Sequence, residues 1–156
     1  MDASIINPFL SSAINVLKTM AAIEATPHKP EVKKHNQTLG DITGIVEMTS
    51  AGLSGSMVVS FSKSCIFHIL ANMLQEPLKT KIDESVIDAV GELTNMICGG
   101  AKSELAKLDY SFNMAKPTMI TGKGSEISYH GCGPTIVIPF NTDYGDFVVE
   151  ANLCSN

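Results

Sequence analysis

A chain of 156 residues is long enough to bury a core and suits a single domain over residues 1–156. Its formal net charge of −5, with 17% charged and 44% apolar residues, disfavours nucleic acid or an anionic membrane surface as partner, because both require a basic footprint. All eleven basic residues are Lys, so no guanidinium is on hand to clamp a phosphate, and positive charge for phosphate chemistry must come from Lys, a helix N-terminus or a partner.

Residues 5–22 predict a first helix, with Asn7 as cap, Pro8 in the opening turn, and Phe9, Ala13, Val16, Leu17 and Met20 at helical spacing. The stretch EATPHKPEVKK, residues 24–34, carries two prolines and a lysine pair and reads as a solvated loop or an edge segment. From 40 to 62 the apolar period switches to two around a Ser50-Ala51-Gly52 turn, which predicts a β-hairpin. A second helix follows, with Ser62 or Ser64 as cap, Ile66, Leu70 and Met73 inward, and Pro77 beyond its end. Asp83 or Ser85 caps a long helix from about Glu84 to Leu108. Short strands are expected within YSFNMA and TMITG on either side of Pro117, then within EISYHG, PTIVIPF and YGDFVVEANL. Short turns between them imply antiparallel pairing. The fold class is therefore α+β and sandwich-like, with long helices packed on a mostly antiparallel sheet.

Cys65, Cys98, Cys132 and Cys154 show no CxxC and no metal-ligand cadence. They read as free thiols serving as small buried apolar groups. The start lacks a signal-peptide pattern, and no apolar run reaches the ~18 residues of a membrane helix. A reduced, cytoplasmic chain is expected. His28, His35, His68 and His130 are scattered. His130 and Cys132 are spaced as two metal ligands, with nothing to complete a site. No Ser or Cys sits in a nucleophile context such as GxSxG. Met20, Met73 and Met96 read as core.

The long helix carries the chemistry. At about 100° per residue, Glu84, Glu92, Asn95, Gly99 and Lys102 all fall within about 40° of Asp88, forming one polar stripe. Val86, Val90, Leu93, Ile97, Ala101 and Leu108 gather opposite as a core face. A solvated face is the ordinary account of such a stripe. Three features argue for more. Gly99 and Gly100 sit mid-helix, where each costs about 1 kcal/mol against Ala, and a flat surface for another chain would justify them. Asp88 and Glu92 are like charges at i, i+4, which an outside cation would relieve. Asn95, a poor helix former, stands beside the glycines. A carboxamide offers a donor and an acceptor from one plane and can hold a water in line with phosphorus without changing protonation. A carboxylate three residues away is repelled by phosphate but can grip a Lys of the molecule that bears it. An acid and an amide on a rigid helix thus suit dephosphorylation of another protein, with metal and most positive charge supplied by that substrate.

Asp88-Ala-Val-Gly-Glu92-Leu-Thr-Asn95, followed by Pro117 in AKPTM, resembles the D/S-x3-E-x2-N…P signature of the CheC/CheX/FliY chemotaxis phosphatases. The opening INPFLSSAINVLKTM, the GLSGSMVVSF strand and the order of elements are similar too, so the likeness runs over nearly the whole chain. It implies that Asn95 orients the water attacking a phospho-Asp and that Glu92 salt-bridges a Lys of a CheY-like response regulator; from the stripe they share with this pair, Asp88, Gly99 and Lys102 are expected to lie against that partner. Mg2+ would sit in the regulator, with no cofactor in this chain. The two halves also echo weakly: Ser12 and Asn15 of the first helix stand where Glu92 and Asn95 stand. Ser12 in place of Glu argues against a second site and for the CheX type, which forms homodimers. The rival from another class is a non-catalytic adaptor that binds a receiver or a flagellar switch component through the same stripe. An orphan domain serving some other signalling output is a third possibility.

Overall fold

The computed structural model describes residues 3–129 and 131–155. Helix α1 spans Ala3–Ala21, α2 Lys63–Leu74 and α3 Glu84–Ala106. The strands are β1 Thr26–Pro27, β2 Glu31–Val32, β3 Ile42–Thr49, β4 Leu53–Phe61, β5 Asn113–Met114, β6 Thr118–Thr121, β7 Ile136–Thr142 and β8 Gly145–Ser155. They make one sheet in the order β1-β7-β8-β4-β3-β5, with β2 also on β7 and β6 also on β3. Every pairing is antiparallel. The α+β expectation therefore holds, and the proline-rich stretch supplies two edge strands.

The predicted caps are confirmed in two helices. The Ser62 hydroxyl accepts from the Cys65 N–H at 3.3 Å to start α2. The Asp83 carboxylate accepts from the Val86 N–H at 3.0 Å to start α3. At α1 the cap expectation fails: the helix is already under way at Ala3, so Asn7 and Pro8 lie inside it. EISYHG forms no strand over its described residues. Glu126 makes one isolated bridge to Gln37, and His130 lies outside the described residues.

All three helices lie on one face of the sheet. Val46, Met48, Met57, Val59, Phe61, Ile138, Phe140, Val149 and Ala151 point to that face and meet Phe9, Ala13, Leu17, Ile66, Ile69, Val90, Leu93 and Ile97. Each buried Phe or Leu here contributes about 1.5–3 kcal/mol by leaving water. Phe147 stacks on Phe61 and Phe140, with centroids 5.3 and 4.6 Å apart. Met20 is 44% exposed, outside this core, and Met73 and Met96 are half-buried at its margin.

The opposite face is covered only in part, by a small cluster of Ile45, Val58 and Ile127 with Ile120 and Tyr129 against it. Polar groups are buried here: Thr43, Ser56, Ser60, Glu150 and Asn152. Lys33, expected in a solvated or edge segment, instead lies with its side chain 2% exposed against Glu150 at 2.9 Å. Its ammonium also donates to the Tyr129 hydroxyl at 2.7 Å, and that hydroxyl donates to Glu150. Burial, then the Glu150 carboxylate, pushes the Tyr129 phenol far up from its ordinary range. The free-thiol expectation also fails for two cysteines. Cys132 and Cys154 form a disulfide, Cα atoms 5.3 Å apart, between the segment before β7 and the end of β8. Cys65 and Cys98 are free and buried, and burial pushes each thiol up to about 12, so they behave as packing groups.

Candidate active site

Helix α3 is seated by three close contacts. Thr94 is fully buried, its hydroxyl donating to the Val90 carbonyl at 2.7 Å. It lies on Gly44 of β3, where a Cβ would come within 2.4 Å of the Thr94 Oγ1. On the α1 side, the Ser12 hydroxyl donates to the Ile97 carbonyl at 2.6 Å, and a Cβ at Gly100 would come within 2.3 Å of that same hydroxyl oxygen. Gly100 thus serves helix–helix packing inside the molecule, not approach by another chain. A Cβ at Gly99 would meet nothing within 4 Å, so this residue is an open point on the outer surface. Ser12 is buried at this contact while Asn15 is exposed, so the echo of the pair in α1 forms no second outward-facing acid–amide site.

The predicted core face of α3 is correct for Val86, Val90, Leu93, Ile97 and Ala101. It is wrong for Leu108, 44% exposed beyond the helix end, where Leu105 fills the core instead.

Wedged in this way, the helix turns its stripe outward. Asp88 and Glu92 are exposed, and Asn95, Gly99 and Lys102 are half-buried. No hydrogen bond or ion pair from another described residue engages the side chains of Asp88, Glu92 or Asn95. Asp88, Glu92 and Asn95 line an open groove of about 540 Å³ with Ile87, Gly91, Lys116, Pro117 and Met119. Gly99 and Lys102 lie further along α3 and do not line it.

The far wall of the groove belongs to β6 and the link before it, and Lys116 and Met119 there were missed in sequence. A signal existed in the register. Ile45 pairs with Thr118 and Met48 with Met114, so Val46 and Glu47 face three residues, 115 to 117. One residue is in excess, the mark of a β-bulge. Met114 and Met119 are five apart, yet both pack toward the helices, which period-two alternation forbids without that extra residue.

Among the described residues no cluster of His, Cys, Asp or Glu could hold a metal ion. The groove holds one amide, Asn95, and two carboxylates, Asp88 and Glu92, at its open side.

A family model described as chemotaxis phosphatase CheX matches residues 42–141, from β3 into β7 and across all of α3. The CheY-P phosphatase CheX of Thermotoga maritima is 27% identical over 131 residues, 84% of each chain. The crystal structure of a CheC-like superfamily protein from a Shewanella species superposes with a TM-score of 0.90 at 42% identity, covering 98% of this chain and 99% of that one. The CheX of Borrelia burgdorferi, solved as a CheX–CheY–BeF3–Mg2+ complex, shares the fold at a TM-score of 0.79 and 22% identity, covering 96% of this chain and 97% of that one.

Proposed function

The chain belongs to the CheX family of chemotaxis phosphatases, and on that premise we propose that Asn95 and Glu92 carry its chemistry. Its activity is hydrolysis of the aspartyl phosphate on a CheY-like response regulator. The water oxygen bonds to phosphorus as the bond from phosphorus to the aspartyl oxygen breaks. Inorganic phosphate leaves carrying both of the water's hydrogens, and the regulator's carboxylate is restored. The transition state is loose, so holding the water in line matters more than a strong base. Asn95 does this: its amide accepts from the water with one atom and steadies phosphoryl oxygen with the other. Glu92, one helical turn away, grips a Lys of the regulator and fixes its register on α3. Asp88 and Lys102 meet the regulator's surface around that point, with Gly99 leaving room. Mg2+ is held by the regulator and offsets charge on the phosphoryl group.

The observation that carries this reading is the carboxamide of Asn95, engaged by no partner within the described fold and standing on a groove beside Glu92. The test measures phosphate release from a Mg2+-loaded phosphorylated receiver. Wild type accelerates it. Asn95→Ala lowers kcat by about 100-fold or more, in the range for losing one positioned polar group, while affinity changes by less than about threefold. Wild type that binds the phosphorylated form yet leaves its lifetime unchanged would establish the adaptor role instead.

The same reading places the chain in the cytoplasm with its partner, as a homodimer acting through the single domain 1–156. Sedimentation at micromolar concentration tests the dimer: a monomer there rejects it.

A further inference from the structure

Lys116 is held by backbone on both sides. Before it, the Ala115 N–H donates to the Glu47 carbonyl at 3.0 Å, and Met114 pairs with Met48. After it, Thr118 pairs with Ile45. Pro117 restricts residue 116 itself to extended backbone. The bulge at residues 115 to 117 adds the residue that sets Lys116 on the groove wall, across from Asp88, Glu92 and Asn95.

Charge makes this position consequential. Two of the groove-lining side chains are carboxylates, and Lys116 is the one cation among them. An arriving phosphoryl group keeps negative charge that the regulator's Mg2+ offsets only in part, and two carboxylates on the groove oppose it, so a cation on the groove wall favours its approach. The chain has no Arg to supply one. Lys116 is exposed, and among the described residues its ammonium forms no ion pair with Asp88 or Glu92. It is therefore not consumed inside the fold.

We propose that Lys116 contacts the substrate: as the receiver docks, its ammonium reaches across the groove to a phosphoryl oxygen of the aspartyl phosphate. This rests on the phosphatase reading above and adds a residue to it. Glu92 then recognises the protein partner, Lys116 recognises that the partner is phosphorylated, and Asn95 places the water. A Lys suits the role because its ammonium is a compact point charge on a flexible stem, able to follow phosphorus as it moves from acyl phosphate to free phosphate.

The experiment compares wild type, Lys116→Met, Lys116→Arg and Lys34→Met on a Mg2+-loaded CheY-like receiver, phosphorylated and unphosphorylated, at low and high salt. Lys34 is an exposed lysine on a different edge and controls for net charge alone. Lys116→Met is expected to lower kcat/KM about tenfold, the worth of one charge-assisted hydrogen bond closed off from water. Its deficit shrinks toward high salt, where the charge is screened. Lys116→Arg recovers most of the rate, and Lys34→Met stays within about twofold of wild type. Affinity for the unphosphorylated receiver is the same for wild type and Lys116→Met, because only the phosphoryl contact is lost. Lys116→Met as fast as wild type, or equally weakened toward both receiver forms, overturns the assignment while leaving the phosphatase reading intact. Wild type that releases no phosphate rejects that reading first, and this assignment with it.

Discussion

The outer face of α3 and the sheet face turned away from the helices both carry charge, and they treat it in opposite ways. On that sheet face Lys33, Tyr129 and Glu150 are joined to one another and withdrawn from water. On α3, Asp88, Glu92 and Asn95 are left without internal partners on the wall of an open groove. Polar groups that a fold uses for itself are paired within it, because a buried unpaired charge is costly. Groups left unpaired at a rigid, water-facing position cost little there and are available to a second molecule. The contrast separates polarity used inside the fold from polarity left open to a partner, without reference to residue type: a Glu is found in both places.

The largest expected effect tests the buried side. Glu150→Ala leaves the Lys33 ammonium buried and alone, and should cost about 3–5 kcal/mol of unfolding free energy in denaturant titration. Lys33→Met with Glu150→Leu should cost distinctly less than Glu150→Ala alone. A single substitution tolerated within about 1 kcal/mol would erase the contrast. Next in size is the seating of α3. Gly44→Ala drives a methyl into Thr94 and should destabilise by about 1–3 kcal/mol, with Thr94→Ala in the same chain returning part of the loss. Glu92→Ala tests the exposed side. It should leave the melting temperature within about a degree of wild type and weaken receiver binding about tenfold, since an interfacial charge pair is lost and no internal contact is. A loss of stability there would place Glu92 among the structural groups. The smallest effect concerns pH. Hydrogen bonds from Ser85, then from the Val86 N–H, hold the Asp83 carboxyl below its ordinary value. A carboxyl lowered in the folded state adds stability above its unfolded pKa, and that stability disappears as pH falls through the folded one. Asp83→Ala should therefore melt lower than wild type at neutral pH, and the two curves should converge in strong acid.

Much of this architecture is legible in sequence because burial on one side imprints a period. The hairpin alternates, the long helix repeats at three and four, and Ser62 and Asp83 sit where helices need acceptors. The outward Glu92–Asn95 pair follows from the same periodicity. What sequence hides depends on distant partners. Nothing near Lys33 signals burial; its partner Glu150 lies 117 residues on. Cys132 and Cys154 meet only because the last strand returns alongside the segment before β7. Leu108 keeps helical phase on paper, but the helix has ended before reaching it. Gly44 was readable in principle, since glycine inside a strand marks close approach by other backbone or side chains. The groove's second wall was harder to see, because Lys116 and Met119 reach α3 only through the pairing of β6 with β3.

The bulge between β5 and β6 also limits how this chain can vary in length. Deleting any single residue from 115 to 117 would remove the bulge and restore strict alternation, with Met114 and Met119 then four apart and still on the helix side. Ile120 would likewise stay with the small cluster around Ile45 and Val58, so both cores would keep their side chains. What would go is the extra residue on the groove's far wall, so a shortening there would alter the site while sparing the packing of the sheet.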